Sequence, residues 1–253
     1  MIARRRRSAG RPDPCRALVT GGSGGIGAAI CSQLAAAGMS VIVHAGSRLD
    51  RAEATAEQIQ RNGGQAQAIQ FDLADAAACQ TAMAELTESE PLSVIVHNAG
   101  VHDDAPLAGM SADQWQRVVE VNLNAFFRVV QPALLGMARQ RWGRVIAVSS
   151  VAARLGNRGQ ANYAAAKAGL HGAVISLTRE MAARGITANT VAPGLIDTGM
   201  LEESHSEQAL ALVPAARLGQ AEEVAALVAF LCSEQAGYIN AQLIGIDGGM
   251  APG

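Results

Sequence analysis

The sequence predicts an α/β fold in one domain, built as a doubly wound, seven-stranded parallel sheet with helices on both faces. From residue 16 onward, short aliphatic segments alternate with amphipathic ones, as in β-α units joined by right-handed crossovers. Hydrophobic residues form 49% of the chain but aromatic residues only 3%. Small aliphatic side chains must therefore fill the core, which is typical of parallel strands covered by helices.

The strand and helix segments alternate along the chain. Strand segments are short and rich in Val, Ile and Ala, which is the pattern of buried strands. We expect them at residues 16–20, 40–44, 66–71, 93–97, 143–149, 186–192 and 242–246. Helices are expected between them, at residues 25–38, 49–62, 75–88, 112–139, 160–184 and 220–233. Ligands of such a sheet bind beyond the carboxyl ends of its strands.

Two segments fall outside this alternation. Residues 1–15 contain five arginines and a single acid, Asp13, so we expect a disordered basic tail ahead of the domain at residues 16–253. An arm that binds an anionic surface is the alternative. Residues 194–216 lack a clear periodicity, and we expect them to form a mobile lid over the substrate.

Composition narrows the classes of function. A net charge of −2 argues against a general nucleic-acid binder. Charged or amide residues interrupt every apolar segment before the roughly 20 residues that a membrane span needs. Four cysteines and five histidines show no metal-ligand or redox spacing. We therefore expect a cytoplasmic protein with free thiols, no metal site and no membrane or nucleic-acid partner.

A glycine-rich turn joins the first strand to the first helix and predicts a dinucleotide site. The segment from Thr20 to Gly27 reads Thr-Gly-Gly-Ser-Gly-Gly-Ile-Gly. Glycines let the backbone approach a pyrophosphate, and the helix N-terminus offers free N–H groups and a positive dipole end. After the second strand, no acid is present to bind the ribose 2′-OH of NAD. Ser47 and Arg48 can instead hold a 2′-phosphate, which favours NADP(H), whereas a solvated turn would leave the cofactor choice open.

Lys167 is the only lysine of the chain and lies four residues after Tyr163. Positions i and i+4 share one face of a helix, so the ammonium is expected beside the phenol. A neighbouring cation favours the phenolate, and we therefore expect Lys167 to lower the pKa of Tyr163. An ordinary surface pair on a helix is the alternative for an isolated Tyr-x-x-x-Lys motif.

These motifs, in this order, resemble the classical short-chain dehydrogenase/reductases, a family with a single-domain Rossmann-type fold. The resemblance covers nearly all of the chain from residue 16. It implies a catalytic tetrad of Asn122, Ser150, Tyr163 and Lys167. The glycine-rich turn, the Ser47-Arg48 pair and the resemblance together give the expected cofactor contacts. These are Gly21, Ser23, Gly25, Ile26, Gly27, Ser47, Arg48, Asp72, Leu73, Asn98, Ala99, Gly100, Tyr163, Lys167, Pro193, Gly194, Ile196 and Thr198.

The tetrad residues have distinct expected roles. Ser150 donates a hydrogen bond to the oxygen that gains negative charge, and Tyr163 acts as the general acid. The resemblance implies that Lys167 also holds the nicotinamide ribose and that Asn122 positions a water that replaces the proton. Two positions depart from the family pattern. His97 stands where the family usually has Asn, and Gly24 stands where NADP-preferring relatives often carry a basic residue.

Within the family, the segments around Tyr163 and the closing Asp247-Gly-Gly-Met250 are most similar to 3-oxoacyl-acyl-carrier-protein reductases. This similarity implies NADPH-dependent reduction of a 3-oxoacyl thioester, in fatty-acid or related polyketide or polyene synthesis. It also implies that Arg141 and Arg184, beside the active-site mouth, dock an acidic carrier protein. A homotetramer built on helices 112–139 and 160–184 is likewise implied. The alternatives are a reductase of acyl-CoA, a sugar, a polyol or another small ketone, and a non-catalytic cofactor-sensing protein.

Overall fold

The computed structural model describes residues 10–198 and 210–251, except for the side chain of Ser89. Seven parallel strands form one sheet in the order β3-β2-β1-β4-β5-β6-β9. They are β1 Arg16–Thr20, β2 Ser40–Ala45, β3 Gln65–Gln70, β4 Val94–His97, β5 Gly143–Val148, β6 Ile186–Pro193 and β9 Leu243–Ile246. Two short strands, β7 Ile196–Asp197 and β8 Gly219–Gln220, pair separately. The predicted fold class is confirmed, and the strand order reverses between β1 and β4.

Helices cover both faces of the sheet. They are α1 Gly25–Ala36, α2 Leu49–Arg61, α3 Ala76–Ser89, α4 Ala112–Val119, α5 Ala125–Gln140, α6 Ala152–Leu155, α7 Ala161–Met181 and α8 Ala221–Cys232. Successive strand residues point to opposite faces, so β1 sends Val19 to the core under α1, α2 and α8 and Leu18 to the core under α3, α5 and α7. Both side chains are fully buried.

The predicted helix at 112–139 is interrupted. A π-helical turn at Glu120–Asn124 separates α4 from α5. Such a turn inserts one extra residue and rotates the side chains that follow it, and it is frequent at functional sites. Asn122 lies in the middle of this turn and is fully buried.

The predicted tail ends earlier than residue 15. Arg11 donates to the carbonyls of Ala37 (2.7 Å) and Gly38 (2.5 Å) at the C-terminus of α1. Cys15 is 2% exposed, and its carbonyl accepts from the Ser40 amide at 2.9 Å. The prediction of disorder is therefore wrong for these two residues, whereas residues 1–9 lie outside the described part of the chain.

The predicted lid is only partly described. Ile196 pairs with Gly219 across β7 and β8, and Val213, in the same segment, is buried. Residues 199–209 lie outside the described ranges, so the mobility of the lid stays a prediction. Among the helices of residues 10–198 and 210–251, none has the length and apolar character to cross a membrane.

Candidate active site

A cleft of about 550 Å³ opens at the carboxyl ends of β1 and β4, where the strand order reverses. Its walls include the glycine-rich loop, the end of β2 and the segment after β4. The predicted cofactor residues that line it are Gly21, Ser23, Ser47, Arg48, Asp72, Leu73, Asn98, Ala99 and Gly100. The structure thus brings together Gly21 and Gly100, which are 79 positions apart in the sequence.

The glycine-rich loop has no room for side chains where it meets the sheet. Gly21 has φ +65°, and a Cβ there would lie 2.9 Å from the Ala99 Cα. A Cβ on Gly27 would collide with the Gly21 carbonyl oxygen and lie 2.7 Å from the Asn98 Nδ2. These glycines therefore form the close-approach cradle that a pyrophosphate needs, and the chain fits a dinucleotide cofactor here.

Asn98 and Thr20 support this loop from below. The Asn98 Nδ2 donates to the carbonyls of Thr20 (3.0 Å) and Gly21 (3.1 Å). In return, the Thr20 Oγ1 accepts from the amides of Asn98 and Ala99, both at 3.0 Å. The segment after β4 is thus locked to the cofactor loop.

The end of β2 carries the predicted phosphate-binding pair. Arg48 lines the cleft and forms an exposed ion pair with Asp50 at 3.2 Å. This carboxylate competes for the guanidinium that the sequence assigns to a 2′-phosphate. Gly24 also lines the cleft, and a side chain there would meet open space.

The end of β6 and the segment that follows it, residues 193–198, contain the last group of predicted cofactor residues. The Pro193 carbonyl accepts from the Val151 amide at 2.8 Å, and the Gly194 amide donates to the Ile246 carbonyl at 3.0 Å. Farther along, a Cβ on Gly25 would lie 3.2 Å from the Thr198 methyl group, so this segment reaches the start of α1. Ile196 lies between these anchors, in β7.

The tetrad side chains converge where β5 ends and α7 begins. Ser150 follows β5, and its hydroxyl is among the groups that shift the pKa of Tyr163. Its neighbour Ser149 instead donates to the Lys167 carbonyl at 2.8 Å and so fastens α7 to the sheet. The Lys167 Nζ lies 5.7 Å from the centre of the Tyr163 ring and donates to the Val148 carbonyl at 3.0 Å.

The pKa of Tyr163 departs in the direction opposite to the predicted one. Burial raises the pKa of the phenol, the nearby Ser150 hydroxyl lowers it, and the charge of Asp104 raises it further. Desolvation of the phenolate is the largest cause of this shift and Lys167 is not among its causes, so a lowering of this pKa by Lys167 stays a prediction. Burial also lowers the pKa of Lys167 to about 8, so the amine still carries its proton at neutral pH.

Asn122 faces Lys167 across Gly100. The Asn122 Nδ2 donates to the carbonyls of Val101 (2.7 Å) and Val118 (2.8 Å), while its Oδ1 is buried without a partner among the described residues. A Cβ on Gly100 would lie 2.6 Å from this Oδ1 and 3.1 Å from the Lys167 Nζ. A small space between an acceptor and an ammonium is therefore kept open by the missing side chain.

Two buried histidines belong to the site although the sequence analysis gave them no role. His44 accepts from the Gly21 amide at Nδ1 (3.2 Å) and contacts the Phe71 carbonyl at Nε2 (2.9 Å). His97 contacts the Asn122 carbonyl at Nε2 (3.1 Å). Burial lowers the pKa of His44 to about 4 and that of His97 to about 3, so both are neutral at pH 7. Each histidine lies at the carboxyl end of its strand, where ligands of such a sheet bind, and this position could have indicated a role in the site.

Asn162 is a further residue of the site that no sequence motif indicated. It is fully buried, and its Nδ2 donates to the carbonyls of Asp103 (3.1 Å) and Gln114 (3.2 Å). Its Oδ1 accepts from the Tyr163 amide at 2.8 Å. Asn162 therefore joins the segment after β4 and α4 to the first turn of α7, where the phenol lies.

Arg141 and Arg184 do not lie beside the mouth of this site. Arg141 precedes β5 and Arg184 precedes β6, so both are at the amino end of the sheet, with the Arg141 Nη2 donating to the Ala183 carbonyl at 3.2 Å. Tyr163 is at the other end of α7, whose 21 residues span about 30 Å. The predicted position is wrong within one chain, and carrier docking at these arginines stays a prediction. In residues 10–198 and 210–251, no group of three or more His, Cys, Asp or Glu could hold a metal ion.

Comparisons with known proteins agree with this geometry. The family model for short chain dehydrogenase matches residues 16–209. The 3-oxoacyl-[acyl-carrier-protein] reductase FabG of Aggregatibacter actinomycetemcomitans is 41% identical over 236 residues, which cover 92% of this chain and 98% of the relative. The proteins of the same name from Staphylococcus aureus strain Mu50 and Escherichia coli K12 are 44% and 42% identical, over 97% and 96% of their lengths and 92% of this chain.

Proposed function

The chain belongs to the short-chain dehydrogenase family, and on that premise we propose that it reduces a 3-oxoacyl thioester to the 3-hydroxyacyl thioester with NADPH. The acyl group is carried on acyl carrier protein, in fatty-acid synthesis or a related pathway. The observation that carries this proposal is the placement of Tyr163 and Lys167 beside Gly100, which lines the dinucleotide cleft, with Ser150 close enough to the phenol to affect its pKa.

The bound cofactor supplies a hydride to the carbonyl carbon, and the protein stabilises the charge that then develops on oxygen. The Ser150 hydroxyl donates to that oxygen, a contact whose removal in other enzymes costs about 2.7–4 kcal/mol. Tyr163 delivers the proton. Its raised pKa keeps the phenol protonated until the alkoxide, a stronger base, forms beside it.

The proton on Tyr163 must then be replaced. The Lys167 ammonium and the Asn122 Oδ1 flank the space beside Gly100, and a water held there would accept from the ammonium side and donate to Oδ1. The ammonium has three N–H donors, and within the described residues only the Val148 carbonyl accepts from it. Its other donors are therefore available for the ribose hydroxyls of the cofactor.

We assign NADPH as the preferred cofactor. Ser47 and Arg48 line the cleft after β2, and the acid that would repel a 2′-phosphate is absent from that turn. The acid nearest to Arg48 is Asp50, in the first turn of α2, and its ion pair is exposed and exchangeable.

The working state in this proposal is a homotetramer in the cytosol. Phe127 and Leu135 on α5 are both 66% exposed, and α7 presents small exposed residues, Ala165, Ala168 and Gly172, that allow close helix approach. If carrier protein docks at Arg141 and Arg184, the acyl arm serves the site of another protomer, because these residues lie about 30 Å from Tyr163 of their own chain. Light scattering at the mass of a monomer would contradict the oligomer.

Oxidation of NADPH at 340 nm tests the reaction. Acetoacetyl thioesters of carrier protein, CoA and pantetheine are compared with ribose, sorbitol and a small ketone. We expect the highest kcat/KM with carrier protein. A higher kcat/KM with the CoA thioester would make acyl-CoA the substrate. Turnover of only the sugar, polyol or ketone would indicate a reductase of small carbonyl or hydroxyl compounds. Tight NADPH binding without any turnover would indicate a non-catalytic cofactor sensor. If Arg141 and Arg184 dock the carrier protein, Arg141→Glu and Arg184→Glu should raise KM for the carrier-protein substrate and leave KM for the CoA and pantetheine substrates unchanged.

A further inference from the structure

His97 occupies the centre of a hydrogen-bonded chain that joins the cofactor loop to the tetrad. It ends β4, is fully buried, and contacts the Asn122 carbonyl through Nε2 at 3.1 Å. Its Nδ1 lies 3.5 Å from the Thr20 Oγ1, a long contact. The Phe126 ring meets the imidazole edge to face, with the ring centres 5.9 Å apart. The imidazole is therefore fixed on three sides.

The partners of His97 determine which nitrogen carries the proton. A carbonyl only accepts, so Nε2 must be the N–H that faces Asn122. The Thr20 Oγ1 already accepts from the amides of Asn98 and Ala99, which leaves its own proton to point at Nδ1. A neutral Nε2–H imidazole satisfies both neighbours, whereas an imidazolium would place a second N–H against a hydroxyl with no free acceptor position. The positive charge of the buried Lys167 nearby also disfavours protonation of His97.

The carbonyl that His97 holds belongs to the π-helical turn. Within this turn the Ala125 amide donates to the Glu120 carbonyl, five residues back, in place of the four-residue spacing of an α-helix. The imidazole supplies a donor to the Asn122 carbonyl from the sheet. The side chain of the same residue is held by the Val101 and Val118 carbonyls, and its Oδ1 faces the space beside Gly100.

We propose that His97 is a positioning residue for Asn122: its Nε2–H anchors the π-helical turn to β4 and thereby aims the Asn122 Oδ1 at the space beside Lys167. It touches neither substrate nor cofactor in this account. The inference rests on the proposed function, in which Asn122 acts in proton replacement. It assigns a role to one of the two residues at which this chain departs from the family pattern, the other being Gly24.

A double-mutant cycle tests the inference. His97→Leu removes the donor and should lower kcat by on the order of tenfold to a hundredfold with little change in the Kd of NADPH. His97→Gln keeps a long-reaching N–H and should restore most of the turnover. In an Asn122→Ala background, His97→Leu should cause no further loss, because the group that it aims is already absent. His171→Leu, which removes a half-buried histidine of α7 away from the site, should leave kcat unchanged.

Hydrogen exchange of peptides covering residues 116–126 gives a readout that needs no substrate. We expect faster exchange in His97→Leu and near-normal exchange in His97→Gln. The positioning role would be overturned if His97→Leu lowered kcat by the same factor in the Asn122→Ala background as in the unmodified protein. It would also be overturned if His97→Leu left the hydrogen exchange of residues 116–126 unchanged. Lack of turnover by the unmodified protein would instead overturn the proposed function, and the exchange result would still decide whether His97 anchors the turn.

Discussion

The two ends of the sheet both bury basic side chains, but they satisfy them differently. At the amino end, Arg144 is 3% exposed and lies over the Trp142 ring at 4.3 Å. Its guanidinium donates to the carbonyls of Gly143 (2.9 Å) and Ser233 (3.1 and 3.2 Å). At the carboxyl end, Lys167 is 2% exposed, yet only the Val148 carbonyl accepts from its ammonium within the described residues.

This difference separates a structural cation from a functional one. A buried cation whose donors are directed at carbonyls joins the elements that supply them, here β5 and the end of α8. A buried cation whose N–H donors lack protein acceptors, beside an acceptor that lacks a donor, can form hydrogen bonds to a ligand. Asn122 supplies that acceptor. Burial alone therefore does not identify the site, and neither does one unsatisfied atom, since Arg141 Nε and Thr187 Oγ1 at the amino end also lack a partner among the described residues; what marks the carboxyl end is an unused acceptor beside a cation with unused donors.

The largest expected effect at the carboxyl end comes from the general acid. Tyr163→Phe removes the proton donor and keeps the ring, so kcat should fall by about 10²–10⁴-fold. Stopped-flow NADPH oxidation measures the loss, and fluorescence titration should show an unchanged Kd for NADPH. Near-normal kcat in this variant would remove Tyr163 from the mechanism.

Filling the space beside Lys167 should have the next largest effect. Gly100→Ala places a methyl group 2.6 Å from the Asn122 Oδ1, and we expect kcat to fall on the order of a hundredfold. Gly109→Ala is the matched control, because a Cβ there meets no atom within 4 Å. If steady-state assays show the same kcat for both variants, the open space has no role in turnover.

Cofactor preference should respond to a single added cation. Gly24→Arg extends a guanidinium into open space at the cleft beside Arg48, and one charged hydrogen bond to the 2′-phosphate is worth about tenfold. The ratio of kcat/KM for NADPH to that for NADH should rise by this factor, and Arg48→Ala should lower it. A ratio that neither variant changes would place the 2′-phosphate elsewhere.

Acid should destabilise the carboxyl end through its two neutral imidazoles. The pKa values of His44 and His97 are depressed from 6.5 to about 4 and about 3 in the folded protein. Below pH 6.5 the unfolded chain binds protons that the folded protein excludes, so stability is complete above that pH and falls as the pH decreases toward 4. The slope is at most about 1.4 kcal/mol per pH unit for each histidine.

Urea unfolding between pH 7 and pH 5.5 measures this slope before most carboxylates titrate. His97→Gln should reduce it by removing one of the two groups. A slope identical to that of the unmodified protein would mean that His97 is accessible to protons in the folded state.

The sequence was sufficient for the seven strands, the fold class and the position of the cofactor loop, because glycine-rich turns and strand ends are local patterns. It did not reveal the π-helical turn, since the residues from Glu120 to Asn124 continue a helical pattern and the contact between the Asn122 carbonyl and His97 of β4 is not local in sequence. The pKa of Tyr163 depends on burial by distant segments. The position of Arg141 was in fact readable, because a residue that precedes a parallel strand lies at the amino end of the sheet.

The most direct measurement compares kcat and thermal unfolding for Lys167→Arg and Arg144→Met. Arginine has a different reach and hydrogen-bond geometry, so Lys167→Arg should lose turnover by on the order of a hundredfold while Tm stays near that of the unmodified protein. Arg144→Met leaves buried carbonyls without donors and should lower Tm, while the folded fraction keeps its kcat. Full turnover in Lys167→Arg, or lost kcat at unchanged Tm in Arg144→Met, would contradict the assignment of function to the carboxyl end and structure to the amino end.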